Sequence, residues 1–69
     1  MEKTTAEKRV KAARLRVLAA NQQTMAAGYR RQAAHPVYPG QDTICLDKAD
    51  QIAALAAREE AEAAILDAG

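Results

Sequence analysis

Few side chains in this sequence could take part in catalysis. His35 is the only histidine, and Cys45, ten positions later, is the only cysteine. A thiol and an imidazole are the components of a Cys/His nucleophile pair. The surrounding residues, however, offer neither a third group to orient the imidazole nor an oxyanion site. We therefore interpret His35 as a helix C-terminal residue that is favourable to the helix dipole, and Cys45 as a small buried hydrophobe.

Metal and cofactor sites are not indicated either. No cluster of His and Cys could complete a zinc site, and the three glycines are isolated rather than grouped in a phosphate-binding loop. Glu59, Glu60 and Glu62 are close in sequence, but successive residues on a helix point apart, so they do not form an acid/base pair. The sequence thus predicts a protein that is not an enzyme and has no catalytic, cofactor or metal site.

The basic residues form a more suggestive pattern. Arg9, Arg16 and Arg30 share one helical ridge at seven-residue spacing, with Gln23 in the missing place. This basic ridge could track the phosphates of a nucleic acid, although it has no aromatic residue to stack on bases. Arg also suits protein interfaces, because its planar fork and its long stem both make contacts. With Tyr38 exposed at a loop tip, the ridge is predicted to bind a protein partner, and a small nucleic-acid-binding regulator is the alternative.

Charge is divided between the two halves of the chain. Residues 1–34 carry eight Lys or Arg and two Glu, whereas residues 47–69 carry six Asp or Glu and two Lys or Arg. Both segments are rich in Ala, and a short stretch with Pro36, Pro39 and Gly40 separates them. Opposite charges favour packing of the segments side by side. We expect an all-α antiparallel helical hairpin that forms a single domain over residues 1–69.

Capping and proline signals set the expected boundaries. Thr4-Thr5-Ala6-Glu7 matches a capping box, and Pro36 disfavours helical geometry at His35, so the first helix is predicted at about 5–34. The connector is predicted at 35–46, and the second helix at about 48–67 with Asp47 as its N-cap.

The connector has the residues of a turn. Tyr38-Pro39-Gly40-Gln41 has Pro at the second and Gly at the third position, which is typical of a type II turn. Four apolar side chains are expected to fold the connector over the end of the hairpin: Val37, Tyr38, Ile44 and Leu46.

The first helix has two apolar stripes, which predict two packing partners. The first contains large side chains, at Leu15, Leu18, Met25 and Tyr29. The second alternates steps of four and three and contains mostly small residues, at Ala6, Val10, Ala13, Val17, Ala20, Thr24 and Ala27. We assign the large stripe to the second helix and the small stripe to a second subunit, where Ala permits close approach. The reverse assignment remains open.

The second helix has one mainly apolar side, which contains Ile52, Leu55, Ala56, Ala63 and Leu66. Antiparallel pairing then predicts Ile52 near Tyr29, Leu55 near Met25, and Leu66 near Leu15. Glu59 falls in the middle of this side, near Leu18 and Gln22, and needs a polar partner there. An Arg of another subunit is one candidate.

The small size of the chain predicts self-association. A chain of 69 residues with 18 alanines has few side chains that bury much area, and its single Cys allows no intrachain disulfide. We therefore expect a homodimer of four helices. The start of the sequence resembles no signal peptide and no segment reaches the length of a membrane span, so we expect an intracellular, cytoplasmic protein.

Three segments carry a resemblance to a known group of proteins. They are the start Met1-Glu2-Lys3-Thr4-Thr5-Ala6-Glu7-Lys8-Arg9, the connector His35-Pro36-Val37-Tyr38-Pro39-Gly40 and the tail Arg58-Glu59-Glu60-Ala61-Glu62. Over its whole length the chain resembles small anti-activator proteins encoded by Pseudomonas phages, which block quorum sensing in the host.

The resemblance implies a function that the residues alone do not specify. It implies a helical dimer in the host cytoplasm that binds the DNA-binding domain of a LuxR-type activator and keeps it from its promoters. It also implies a second target, the ATPase that drives type IV pilus assembly, so that infected cells lose twitching and resist pilus-dependent phages.

Overall fold

The first helix begins at the predicted cap. In the computed structural model, which describes residues 4–68, helix α1 comprises Thr5–Ala34 and Thr4 is its N-cap. The backbone N–H of Glu7 donates to Thr4 Oγ1 at 3.1 Å, which satisfies one of the free N–H groups of the first turn. Glu7 also places a negative charge in that turn, where the helix dipole favours it.

Helix α1 ends at Ala34, the position predicted from Pro36. His35 leaves helical geometry, with φ −133° and ψ 66°, and its N–H donates to the carbonyl of Gln32 at 3.1 Å. The type II turn is also present, because Gly40 has φ +88° and the N–H of Gln41 donates to the carbonyl of Tyr38 at 3.2 Å. Positive φ at this third position explains the glycine.

The second helix starts earlier than predicted. Helix α2 comprises Gln41–Ala68, so the connector is only residues 35–40, and the expected N-cap Asp47 lies inside the helix. The turn at Gly40 leads directly into α2, since the N–H of Ile44 donates to the carbonyl of Gly40 at 3.2 Å. Asp42, rather than Asp47, provides the acidic residue of the first turn.

The two helices pack through alanines. All fully or almost fully buried residues between 4 and 68 are small, namely Cys45 and the six alanines Ala12, Ala19, Ala26, Ala49, Ala56 and Ala63. We call these six residues the alanine seam. Their spacing of seven on each helix is a coiled-coil repeat, and small side chains at it let the two backbones approach closely.

The predicted packing stripe of α1 is therefore only partly correct. Leu15 and Tyr29 are half-buried beside the alanine seam, whereas Leu18 and Met25 are 47% and 54% exposed. On α2, Ala56 and Ala63 are buried as expected and Leu55 is not. The helices approach through their smallest side chains, so the larger ones are left at the margins of the contact.

The register agrees with the predicted antiparallel pairing. Gln22 Nε2 donates to Glu59 Oε1 at 3.1 Å, which sets these residues at the same level along the pair. Helical spacing then puts Ala19 level with Ala63, and Ala26 level with Ala56. The resulting hairpin is long and thin, with principal extents of 53 × 16 × 13 Å. Over the described residues, neither helix is long and apolar enough to cross a membrane.

The alanine seam predicts strong sensitivity to side-chain volume. Ala56→Leu should lower the free energy of unfolding by about 1–3 kcal/mol, because the extra atoms force the helices apart. Ala57→Leu is the matched control, since Ala57 is exposed on the next position of the same helix and should change stability by less than about 0.5 kcal/mol. Urea unfolding followed by circular dichroism measures both variants. Equal losses of unfolding free energy would contradict close packing at the alanine seam.

Candidate protein-interaction site

The basic ridge runs along one edge of the contact between the helices. Arg16 forms an ion pair with Asp67 of α2, and Gln23 Nε2 donates to Glu60 Oε1 at 3.1 Å. Both members of the ion pair remain partly exposed. The middle of the predicted ridge is thus already engaged within the hairpin, although an ion pair at this degree of exposure contributes only about 0–1 kcal/mol.

Arg30 and Arg9, at the two ends of the ridge, lie where α2 offers no acidic partner within residues 4–68. Contacts along this edge repeat every seven residues, so Arg30 lies level with Ala53, which has no charge to offer. Arg9 lies one repeat beyond Arg16, past the end of α2 at Ala68. Both arginines are exposed, and neither forms an ion pair with another residue of 4–68.

A pair of polar side chains, Gln22 and Glu59, lies in the middle of the contact between the two helices. Glu59 lies beside Gln22 as predicted, and the hydrogen bond comes from the amide of the same chain rather than from an Arg. Glu59 Oε2 and Gln22 Oε1 are both buried and have no hydrogen-bond partner within residues 4–68. An unpaired buried acceptor costs about 1–3 kcal/mol, so this pair weakens the hairpin while it marks its register.

The opposite edge of the contact is apolar. Leu18 and Met25 of α1 lie here with Leu55 of α2, and all three are exposed. We call these three residues the apolar edge. Polar contacts bound it at both ends: Lys11 Nζ lies 3.6 Å from Glu62 Oε1, and Lys48 Nζ lies 5.6 Å from the centre of the Tyr29 ring.

The stripe predicted for the dimer lies on the side of α1 that faces away from α2. All five predicted interface residues are exposed there, and they are Val10, Ala13, Val17, Ala20 and Thr24. We call them the outer face of α1. Val10 and Val17 are 51% and 62% exposed, and they line a shallow depression together with Ala13, Arg14, Leu18 and Asn21. The outer face is therefore free in the hairpin, and it adjoins the apolar edge.

The connector exposes apolar side chains instead of covering the end of the hairpin. Val37 is 87% and Tyr38 52% exposed, and Ile44 and Leu46 in the first turns of α2 are also exposed. The expectation that these four residues fold inward is wrong, because α2 starts at Gln41 and carries Ile44 and Leu46 on its outer surface. We call these four residues the hairpin tip.

The hairpin tip is held firmly despite its exposure. The N–H of Val37 donates to Gln41 Oε1, and the type II turn fixes the carbonyl of Tyr38. Cys45 Sγ lies 3.7 Å from Gln32 Oε1 where the two helices join. Such bonds limit the conformational entropy that the tip would lose on binding a partner.

The two residues considered for nucleophilic chemistry occupy ordinary places. His35 is exposed at the C-terminus of α1, and Cys45 is buried at the end of the interior. Among residues 4–68, no group of three or more His, Cys, Asp or Glu is arranged to hold a metal ion.

Comparison with protein-family models, characterised proteins and solved structures gives no match to this chain.

Three residues predicted to be packed between the helices are exposed in the structure. Leu18 and Met25 were placed inside the hairpin, and Leu55 was placed on the packed side of α2. A seven-residue repeat of alanines at Ala12, Ala19 and Ala26 is present in the sequence, but Ala6, Ala13, Ala20 and Ala27 repeat at the same spacing, so the repeat alone does not identify the packed face.

The buried polar pair yields a second prediction. Gln22→Leu should lower the free energy of unfolding by about 2 kcal/mol, because Glu59 then stays half-buried without its donor. The double variant Gln22→Leu/Glu59→Leu should regain this loss and match or exceed the original stability, since apolar residues replace both polar groups.

Gln23→Leu is the matched control for this experiment. It breaks the exposed bond to Glu60 one residue away and should change stability by less than about 0.5 kcal/mol. Urea unfolding compares these three variants with the original protein. A double variant less stable than Gln22→Leu would refute this account of the pair.

Proposed function

We propose that this protein is a non-enzymatic inhibitor that binds host proteins and covers the surfaces those proteins need. The observation that carries the proposal is the hairpin tip, where exposed Val37 and Tyr38 lie on a hydrogen-bonded connector. Arg30 lies one turn before the end of α1 and has no acidic partner within residues 4–68. Preorganised aromatic and arginine side chains dominate the affinity of many protein interfaces.

The proposed partners come from the resemblance of the sequence to phage-encoded anti-activators. They are the DNA-binding domain of a LuxR-type quorum-sensing activator and the ATPase of type IV pilus assembly, both in the cytoplasm of the host bacterium. Binding to the first would keep the activator from its promoters. Binding to the second would stop pilus assembly and exclude phages that enter through pili.

We further propose that the inhibitor is a homodimer with four helices. Two observations support it. No large side chain is fully buried within residues 4–68, and Val10 and Val17 on the outer face of α1 are more than half exposed. An exposed row of apolar side chains on a helix is typical of a surface that another protein covers. A two-fold dimer would present each docking residue twice.

Truncation at the hairpin tip tests the docking role. Tyr38→Ala and Arg30→Ala should each weaken binding to a purified LuxR-type DNA-binding domain roughly tenfold or more, because both remove hot-spot types of side chain from a preorganised surface. Calorimetry measures the affinity. Arg58→Ala is the control, since Arg58 is also exposed but lies on α2, away from the tip and the ridge.

Two results would contradict this role. One is unchanged affinity in Tyr38→Ala and Arg30→Ala. The other is capture from host lysate that disappears after nuclease treatment, which would favour the small nucleic-acid-binding regulator that uses the basic ridge.

The ion pair in the middle of the ridge yields a separate prediction. Arg16→Ala should leave the circular dichroism intact and weaken partner binding, because Arg16 must leave Asp67 to reach a partner. Asp67→Ala should strengthen binding a few-fold, because it removes the internal competitor for Arg16. The same calorimetric titration measures both variants. If Asp67→Ala and Arg16→Ala change affinity in the same direction, the guanidinium does not dock.

A further inference from the structure

Gly28 lies within α1, away from its ends, and no contact between the described residues requires a glycine there. Glycine lowers helix stability relative to alanine, so its presence in a long helix needs an explanation. A Cβ placed on Gly28 would meet only Arg31 Nη2, at 3.8 Å, which is ordinary contact with the mobile end of a side chain. Nothing else in the described chain comes within 4 Å of that Cβ, outside its own helix backbone and neighbours. The remaining role for glycine is close approach by another backbone.

The position of Gly28 indicates where that backbone would come from. It forms a small depression with Met25, Tyr29 and Gln32. One turn earlier along α1 lies Thr24, the last residue of the exposed outer face. The depression is thus the far end of a strip that begins near Ala6, and Val17 lies at the midpoint between Ala6 and Gly28.

The charges beside this strip favour an antiparallel contact with a second copy of α1. In a parallel, in-register contact each Glu7 would lie at the level of the other copy's Glu7, and each Arg14 at the level of the other Arg14, so neither charge would find an opposite one at its own level. In an antiparallel contact centred on Val17, Arg14 faces Ala20 of the second copy instead. Glu7 then comes to the region of Gly28, over which the guanidinium of Arg31 lies. Opposite charges meet there.

We propose that the outer faces of α1 from two copies pack antiparallel about a two-fold axis at Val17. The first turn of the second copy's α1 lies on Gly28, and its Glu7 pairs with Arg31. This arrangement rests on the proposed homodimer and specifies its geometry. The glycine permits the close approach of the two backbones, and the ion pair occurs twice because of the symmetry.

Engineered disulfides test the direction of packing. With Cys45→Ala as background, a mixture of Val10→Cys and Thr24→Cys chains should form a mixed disulfide dimer, because these positions face each other in the proposed contact. Neither chain alone should cross-link efficiently. Arg58→Cys, on the exposed side of α2, is the control. Efficient cross-linking of Val10→Cys with itself, or no mixed dimer at all, would overturn the arrangement.

A charge exchange tests the proposed ion pair. Glu7→Arg and Arg31→Glu should each raise the dissociation constant of the dimer roughly tenfold at low salt, and the double variant should return it to within about threefold of the original. Each single change also disturbs the dipole at one end of α1, so the melting temperature is recorded. Rescue by the double variant would show that the two charges interact directly. The effects of the two changes on the helix dipole would add in the double variant instead of cancelling. Failure of rescue would refute the pair.

Gly28→Ala separates the effect of this residue on helix stability from its effect on packing between the two subunits. It should raise the helix content and melting temperature of the dissociated chain, yet weaken dimerisation roughly tenfold or more by filling the contact. Asp50→Ala is the matched control. It improves helix propensity on the exposed surface of α2 and should leave dimerisation unchanged. A dimer that tightens with Gly28→Ala would overturn the role of the glycine.

Failure of this geometry can be told apart from failure of the proposed function. Sedimentation of the unmodified protein reports whether a dimer exists, and the cross-links report how it packs. Binding of the LuxR-type DNA-binding domain is measured independently. A dimer with a different cross-linking pattern overturns the geometry and leaves the inhibitor function intact.

Discussion

Close approach of two helices through alanine is the constraint on which the rest of this structure depends. Ala12, Ala19 and Ala26 of α1 and Ala49, Ala56 and Ala63 of α2 are buried at a spacing of seven, and no large side chain is fully buried within the described residues. A contact this narrow leaves no room for leucine or methionine between the backbones. The larger apolar side chains therefore lie at the margins or on the outside. The exposed apolar surfaces of the protein are a consequence of how its interior is built.

The division of charge along the chain is used partly for folding. Lys11 and Arg16 near the start of α1 pair with Glu62 and Asp67 near the end of α2, which agrees with the antiparallel direction that the six-residue connector imposes. These contacts remove basic residues from the surface that a partner could use. What remains is a ridge whose two ends, Arg9 and Arg30, form no ion pair within residues 4–68, and whose middle is engaged within the hairpin. In the docking role proposed for Arg16, competition with Asp67 would link partner binding to the stability of the open end of the hairpin.

The sequence predicts the ends of α1 well because local signals set them. The Thr4 cap and Pro36 act on their immediate neighbours and need no tertiary information. The start of α2 differs from the prediction because Thr43 and Ile44 are β-branched and have no strong helix preference, so local propensity does not mark where the helix begins. The alanine seam was missed for a different reason. With alanine on almost every side of α1, neither side-chain size nor the seven-residue repeat identifies the packed face, because the exposed Ala6, Ala13 and Ala20 repeat at the same spacing as Ala12, Ala19 and Ala26.

The shape of the hairpin limits how a dimer could act on its partners. In the antiparallel arrangement proposed for α1, the two hairpin tips point in opposite directions. Each α1 is about 45 Å long, at 1.5 Å per residue over 30 residues, so the tips are separated by roughly the length of the molecule. Two neighbouring sites on one partner could not be reached by both tips, and avidity of that kind is excluded by geometry. A dimer of this shape is suited to holding two separate partner molecules, one at each end. Dimerisation would then contribute stability to a thin hairpin rather than affinity for a single target.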